Sequence, residues 1–495
     1  MAIAGLDIGS TGSKITVFSE EGQLLYQAYR NYPVSRELNA HEIHAGDIWE
    51  AVCGLLSGAA EQIPALQAVG ISTFGESFVL LDENEQILLA TMMYTDPRGG
   101  SEANELVEHF GMLTMQSITG VNPHAMYGLP KLMWVKKHHP QIWAKVRYVL
   151  EIQDFLVFKL TGNRLVDHSL ATRMMAFDIH KLSWSRDLLN FAGVPLEWLS
   201  TPVPTGTDAG AVKPDMARLL GLPAELHIVA CCQDQIAAAV GAGVLQPGQA
   251  TDGTGTVECI TPIFTHIPEN GGLQRNNYAI VPFLKPGTFC CYAFTYTGGA
   301  LVNWFIDNLA GQVKQKALDN KRSIFDQLEF ESADQPTGIL VLPYFAGAAT
   351  PYMDSGAKGA FVGMTLATTT ADLYRAVQEG IAYEMALNLG LLKQTGMPIE
   401  KLHATGGCAK SARWLQMKAD IFNVPVMRMG VDEAGTVGGI ILTGVAMGIY
   451  ANLEEAVRVL VRPLETFHPR PEMHAAYLPF FEQYKRLYDA VRPLV

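Results

Sequence analysis

The sequence lacks a basic surplus, a cysteine framework and any apolar run long enough to cross a bilayer. The longest weakly polar stretch, Val437 to Ala451, is short and rich in glycine, which argues against a membrane span. Lys and Arg number 36 against 49 Asp and Glu, for a formal net charge of −13. Nucleic acid and anionic membranes both demand a basic face, so neither is expected as a partner. The seven cysteines include the adjacent pairs Cys231-Cys232 and Cys290-Cys291 and no CxxC. That usage predicts reduced thiols packed as small hydrophobes in a cytoplasmic protein. Ile3-Ala4-Gly5-Leu6-Asp7 has no charged n-region before it, so no signal peptide is expected. A GxxxxGK[ST] motif is also missing, which excludes a P-loop enzyme. Charged residues make up only 17% and hydrophobic residues 48%, the balance of a folded chain. At 495 residues two or three domains are expected.

Two short glycine-hydroxyl loops, each headed by an aspartate, lie about half the chain apart. The first is Asp7-Ile8-Gly9-Ser10-Thr11-Gly12-Ser13-Lys14 and the second is Asp252-Gly253-Thr254-Gly255-Thr256. Glycine has no Cβ, so such a backbone can approach phosphate oxygens closely. Its N–H groups and hydroxyls donate to the anion, and an aspartate can hold an accompanying Mg²⁺. The first loop alone has the alternative reading of an ordinary hairpin turn rich in Gly and Ser. Together the two loops predict a duplicated clamp on nucleotide phosphates.

Ile3–Leu6 and Lys14–Phe18 are β-rich and flank the first loop, and Gln23–Ala28 continues the sheet. Asp47–Ala60 has helical spacing, followed by short buried strands at Ala68–Ser72 and Phe78–Asp82. Helices are expected at Gly100–His109, Pro130–His138 and Glu151–Leu160, and a loop-rich stretch at Gly206–Val212. His227–Cys231 reads as a strand that leads through Gln233-Asp234-Gln235 into the alanine-rich helix Ile236–Ala242. Gly243–Gly248 breaks that helix. The domain boundary is placed there, giving residues 1–246 and 247–495. In the second half, strands are expected near Thr251–Thr261, Asn277–Val281, Cys290–Phe294 and Lys401–Thr405, with helices from Gly299 and Asp372. Two similar halves of this kind favour an α/β protein with ligand bound between them.

Asp234 follows a buried strand and precedes an apolar helix. There an aspartate serves either as an N-cap or as a general base at the C-terminal end of a strand. Gly406-Gly407-Cys408-Ala409-Lys410-Ser411 is a strand-to-helix turn whose bare backbone could also carry an adenine ring. His41-Glu42-Ile43-His44 lies in a polar connection with its histidines three apart, and a structural role is expected there rather than zinc.

In this order and spacing, the segments resemble the FGGY family of carbohydrate kinases over nearly the whole chain. The likeness rests on Leu6–Thr11, Tyr94-Thr95-Asp96-Pro97-Arg98, Leu129–Trp134, Asp234-Gln235, Gly253–Thr256, Gly298-Gly299, Gly406–Ser411 and Glu433–Gly438. It implies a two-lobed, actin-like (ribonuclease-H-like) ATPase fold with duplicated domains and a central cleft. Residues 1–246 would bind the sugar and carry the base, and residues 247–495 would bind the nucleotide. By the same resemblance Asp234 is the base, and Asp7 and Asp234 hold Mg²⁺. Gly9, Ser10, Thr11, Gly12, Lys14, Gly253, Thr254, Gly255 and Thr256 would contact the phosphates of ATP. Gly298, Gly406, Gly407, Ala409 and Ser411 would border the nucleotide.

Glu76, Tyr94, Asp96, Arg98 and Gln235 are the expected acceptor contacts. The Glu76 carboxylate can accept from two vicinal hydroxyls. Gly75 stands where glycerol kinases carry arginine, which predicts extra room and weakens the case for glycerol. Tyr94 replaces the family's tryptophan and still offers an aromatic wall, while Asp96 could act only as an anchor for Arg98. The implied activity is ATP-dependent phosphorylation of a ketose or polyol, with a pentulose such as xylulose preferred. L-fuculose, gluconate, glycerol and erythritol are alternatives. An actin- or chaperone-like ATPase without a sugar is the reading from another class. A homodimer is implied by the resemblance alone.

Overall fold

Strand Ala2–Ile8 is buried along nearly its whole length, as expected for the centre of a sheet covered on both faces. The computed structural model describes residues 1–37, 40–397, 399–431 and 433–495. By its contacts the chain divides into two units. The first comprises Met1–Leu245, Ala279–Cys290 and Glu433–Arg462, and the second Gln246–Tyr278, Cys291–Asp432 and Pro463–Val495. The sequence places one cut at 246/247, whereas the units exchange two further segments beyond it.

The sheet of the first unit runs Thr207–Ala211, His227–Gln233, Leu66–Thr73, Ala2–Ile8, Gly12–Ser19, Leu24–Asn31. Ala2–Ile8 and Gly12–Ser19 form an antiparallel hairpin. Leu66–Thr73 is parallel to Ala2–Ile8 and to His227–Gln233. Alternation along the strands separates two faces. Ala2, Ala4, Leu6 and Ile8 pack with Ile48, Leu55 and Leu56 of helix Ala45–Gln62 and with Phe155 and Leu156. The opposite face, at Gly5 and Gly70, takes helix Ala434–Ala446 so closely that a Cβ on Gly70 would stand 2.7 Å from the Gly439 carbonyl oxygen. A Cβ on Gly438 would likewise strike the Ala237 carbonyl of helix Asp234–Gly241. The glycine-rich run from Val437 is therefore a packed helix, and among the described residues no helix is long and apolar enough to cross a membrane.

The second unit repeats the connectivity. Gln249–Thr254 and Glu258–Phe264 form an antiparallel hairpin. Gln249–Thr254 is parallel to Lys401–Thr405, which is parallel to Val426–Met429. Pro463–Phe467 closes the edge antiparallel, as Thr207–Ala211 does on His227–Ala230 in the first unit. The 25-residue helix Thr370–Gln394, begun by a Thr369/Asp372 capping box, runs through a core that includes Val341, Tyr374, Val377, Ile381 and Trp414.

Two expectations at strand level are corrected. Gly206–Val212 is not only loop, because Thr207–Ala211 is an edge strand. Gly210 takes φ 96 where the register shifts between Asp208 and Ala211, and edges tolerate such a glycine bulge. The strand expected from Asn277 begins only at Ile280. Asn277 has φ 59, a left-handed conformation that a strand residue does not adopt.

Candidate active site

The three central strands of the first unit deliver their C-terminal ends to one edge. Asp7 stands opposite Ser72, Ile8 opposite Thr73, and Gln233 opposite Thr73 on the other side. This register places Asp7, Asp234 and the Gly75-Glu76-Ser77 turn beside one another.

The first loop is closed by Gly9 N–H donating to the Gly12 carbonyl at 3.0 Å, while the Tyr32 hydroxyl donates to the Gly9 carbonyl. Gly12 is buried, and the tip at Ser10 and Thr11 remains open to solvent. Burial raises the Asp7 carboxyl to about 6, with Glu433 adding to the rise and Ser72 and Lys14 opposing it. The first turn of helix Ala434–Ala446 lies against it, since a Cβ on Gly435 would stand 2.6 Å from Asp7 Oδ2. Lys14 is ion-paired to Glu433, so any contact it makes to a phosphate competes with that carboxylate.

Asp234 opens helix Asp234–Gly241 without capping it. The cap is Gln233, whose side-chain oxygen accepts from Gln235 N–H at 3.0 Å, and this removes the N-cap alternative. Burial pushes the Asp234 carboxyl up to about 8, reinforced by Asp7 and Glu76, and hydrogen bonds from Gln235 oppose the rise. Such a carboxyl in company with other carboxylates suits proton transfer near neutral pH.

Glu76 is buried and takes φ 61, a left-handed conformation that is costly for a side-chain-bearing residue. Two features missed in the sequence hold it there. Arg173, at the end of helix His168–Arg173, donates through Nε and pairs through Nη2 to Glu76 Oε1. Buried Lys131 donates to the Glu76 carbonyl at 3.2 Å, the Met93 carbonyl at 2.6 Å and the Met126 carbonyl at 2.8 Å. Burial lowers the Lys131 ammonium to about 8, with Glu76 the first of three carboxylates opposing. The room expected at Gly75 is occupied, because a Cβ there would stand 2.6 Å from Arg173 Cγ. The one local signal was a lysine amid apolar neighbours in Leu129-Pro130-Lys131-Leu132.

Tyr94 is half-buried, and its hydroxyl is raised by burial and then by Glu76 and Asp234. Asp96 and Arg98 do not fit the expected acceptor role. Asp96 Oδ1 accepts from Arg98 N–H at 2.9 Å and Nε at 2.8 Å, and Oδ2 from Arg98 Nη2 at 2.6 Å and His41 N–H at 2.8 Å. Arg98 also bonds Glu42 and lies over Trp134. With its acceptors engaged, Asp96 anchors Arg98. The His41–His44 segment is structural: His44 caps helix Ala45–Gln62, and among the described residues no three His, Cys, Asp or Glu form a metal cluster.

In the second unit Gly255 and Thr256 form the exposed tip of the second loop. Their carbonyls accept from the N–H groups of Gly299 (2.8 Å) and Ala300 (3.1 Å) at the start of helix Gly299–Leu309. Gly253 is half-buried in the strand. The Thr254 hydroxyl points away from the tip, donating to Asp252 Oδ1 at 3.2 Å and accepting from Lys418 Nζ at 2.8 Å, so it is not offered to a phosphate. Lys418, fully buried, also pairs with Asp252 at 2.7 Å and Glu258 at 3.0 Å. Burial works against its charge, and the two carboxylates overcome it to hold the ammonium above its ordinary value.

Gly298 is buried behind the loop, where a Cβ would come within 3.0 Å of the Val257 carbonyl oxygen. Gly406 has φ 88, and a Cβ there would stand 2.5 Å from the Thr254 carbonyl oxygen. Gly407 has open space around it. Gly406, Ala409, Lys410, Arg428, Met429 and Val431 line a cavity of about 290 Å³. Ser411 is not part of it. Its hydroxyl caps helix Ala412–Phe422 by accepting from Trp414 N–H and donates to Glu329.

The chain matches the model of the FGGY carbohydrate kinase N-terminal domain over residues 2–241 and that of the C-terminal domain over 253–447. It is 26% identical to a xylulose kinase of Bacillus subtilis, over 99% of this chain and 97% of that protein. Identity to a gluconokinase of Bacillus licheniformis is also 26%, over 90% and 87%. The structure of xylulose kinase from Lactobacillus acidophilus superposes with a TM-score of 0.88 at 22% identity, covering 99% of this chain and 98% of that one. With its duplicated sheets in a two-domain, actin-like ATPase architecture, the chain belongs to the FGGY family of carbohydrate kinases and is an ATP-dependent sugar kinase.

Proposed function

We propose that the acceptor is a ketose, with a pentulose such as xylulose preferred, and that Asp234 is the general base. The observation that carries this reading is the shared strand edge that brings together Asp7, Asp234 and the Glu76 turn. The Asp234 carboxylate takes the acceptor's hydroxyl proton while that oxygen bonds to the γ-phosphorus and the bond to the departing ADP oxygen breaks. Similarity to proteins named xylulose kinase over 99% of this chain supports a pentulose, and similarity to gluconokinases keeps gluconate as the alternative. Tyr94 supplies a wall for the acceptor, Glu76 accepts from its hydroxyls, and Gln235 aligns Asp234.

We assign the acceptor and the base to residues 1–246 and the nucleotide to residues 247–495. Loop tips Ser10-Thr11 and Gly255-Thr256 take the phosphates, and the cavity at Gly406 and Ala409 takes the adenosine end. Mg²⁺ fits the donor set, because it is bound through one or two carboxylates plus phosphates and Asp7 raises Asp234 by charge alone. Asp7 and Asp234 would hold it, and its charge offsets that of the phosphates. Seven cysteines that include adjacent pairs and no CxxC support a cytoplasmic location. The homodimer rests on family resemblance, and light scattering of the purified protein tests it.

The deciding experiment is ADP release with Mg·ATP against D-xylulose, L-xylulose, D-ribulose, L-fuculose, gluconate, glycerol and erythritol, with Asp234→Asn alongside. Acceptor-dependent ADP release that the variant loses, greatest with a pentulose, is expected. Hydrolysis that is equal in both proteins and indifferent to every acceptor overturns the reading.

A further inference from the structure

The helix that ends at Arg173 is tied to the acceptor edge at its start, where Ser169 Oγ accepts from Gln233 N–H at 3.0 Å. Asp167 caps it by accepting from Leu170 N–H. Its last side chain then crosses to Glu76, filling the space beside Gly75, with its guanidinium over the Tyr127 ring at 5.2 Å. Both partners are nearly inaccessible, with side chains exposed by 5% and 8%. A guanidinium is a ready receptor for a carboxylate or phosphate, but this one is already occupied by a carboxylate of the chain. The other buried cation beside it, Lys131, directs its ammonium at three carbonyl groups. The Asp96–Arg98 pair is likewise closed on itself. Among the described residues, the other charges at this edge are the Asp7 and Asp234 carboxylates and the exposed Arg36, whose charge reaches the Tyr94 hydroxyl.

We propose that the buried Glu76–Arg173 pair sets acceptor specificity, neutralising the cation that an acidic acceptor would need so that only uncharged polyhydroxyl acceptors are taken. An aldonate brought here meets the Asp234 carboxylate and, among the described residues, buried cations already engaged by the chain, whereas a ketose or polyol hydroxyl can donate to Glu76 without needing a cation. This rests on the kinase reading above and goes further, in naming the charge class of the substrate and the residue that sets it.

The test compares matched acceptors in wild type by ADP release: D-xylulose with D-xylonate, L-fuculose with L-fuconate, glycerol with glycerate, and gluconate alone. In each pair that turns over, the neutral member is expected to be favoured at least tenfold in kcat/KM. A smaller preference, or gluconate as the best substrate, overturns the proposal while leaving the kinase reading intact. No acceptor-dependent ADP release at all defeats both. Glu76→Gln frees Arg173 and is expected to shift the acid-to-neutral ratio of kcat/KM at least tenfold towards the acid. The double variant Glu76→Gln with Arg173→Met is expected to lack that shift, and a shift of the same size in it overturns the proposal. If Glu76→Gln does not fold, the wild-type pairs decide.

Discussion

Replacing Asp234 by Asn should make the ligand-free protein more stable and almost inactive, with a pH signature in the stability. The Asp234 carboxyl holds its proton to about pH 8, against an ordinary value of 3.8. Across that window the folded state binds a proton that the unfolded chain has released, so stability falls as pH rises. Each pH unit of the window is worth about 1.4 kcal/mol. Discounted for water reaching a half-buried residue, the penalty at the top of the window is about 3 kcal/mol. Asparagine has the same shape and does not ionise. The first unit has roughly 290 residues, and at about 2 cal/mol/K per residue 3 kcal/mol corresponds to about 5 °C in Tm. Melting curves in EDTA from pH 4 to pH 9 should show Asp234→Asn level with wild type at pH 4 and about 5 °C above it at pH 9. Turnover should fall at least about a hundredfold. A Tm difference that does not change with pH would refute the electrostatic account. Near-normal turnover would remove Asp234 as the base.

Three further substitutions test the surroundings. Lys418→Met leaves Asp252 and Glu258 buried without their cation and should lower stability by about 3–5 kcal/mol, while Lys418→Met with Asp252→Asn and Glu258→Gln should recover most of it in urea unfolding. Lys131→Met orphans three carbonyl groups and should destabilise by about 3 kcal/mol or more, and it should raise KM for the acceptor more than KM for ATP in steady-state kinetics. Ser411→Ala removes a helix cap worth about 1 kcal/mol and should leave KM for ATP within about twofold of wild type, because the hydroxyl is turned into the helix.

The sequence carried the fold through local signals. Apolar strands around glycine loops marked the two hairpins, and Lys401–Thr405 was found to the residue. Asp234 was legible because a buried strand runs straight into an alanine-rich helix. What escaped depends on partners far apart in the chain. Arg173 meets Glu76 from 97 residues away, and Lys418 meets Asp252 from 166. No periodicity encodes either meeting. The same blindness explains the misassigned hydroxyls. Ser411 and Thr254 sit in the right motifs, but whether a hydroxyl faces a ligand or its own backbone depends on rotamer and neighbours rather than on spacing. At Gly75 a missing side chain was taken for vacant volume, which a distant arginine fills.

The return of helix Ala434–Ala446 to the first unit has a consequence for how the protein is made. When residue 245 leaves the ribosome, the sheet face at Gly5 and Gly70 has no cover, since the helix that packs there lies about 190 residues downstream. At about 5–20 residues per second that face stays bare for roughly 10–40 s. The nascent chain must hold a half-finished sheet in solution for that time, a window in which a chaperone would be useful. Any expression fragment ended at residue 246 would keep that bare face for good.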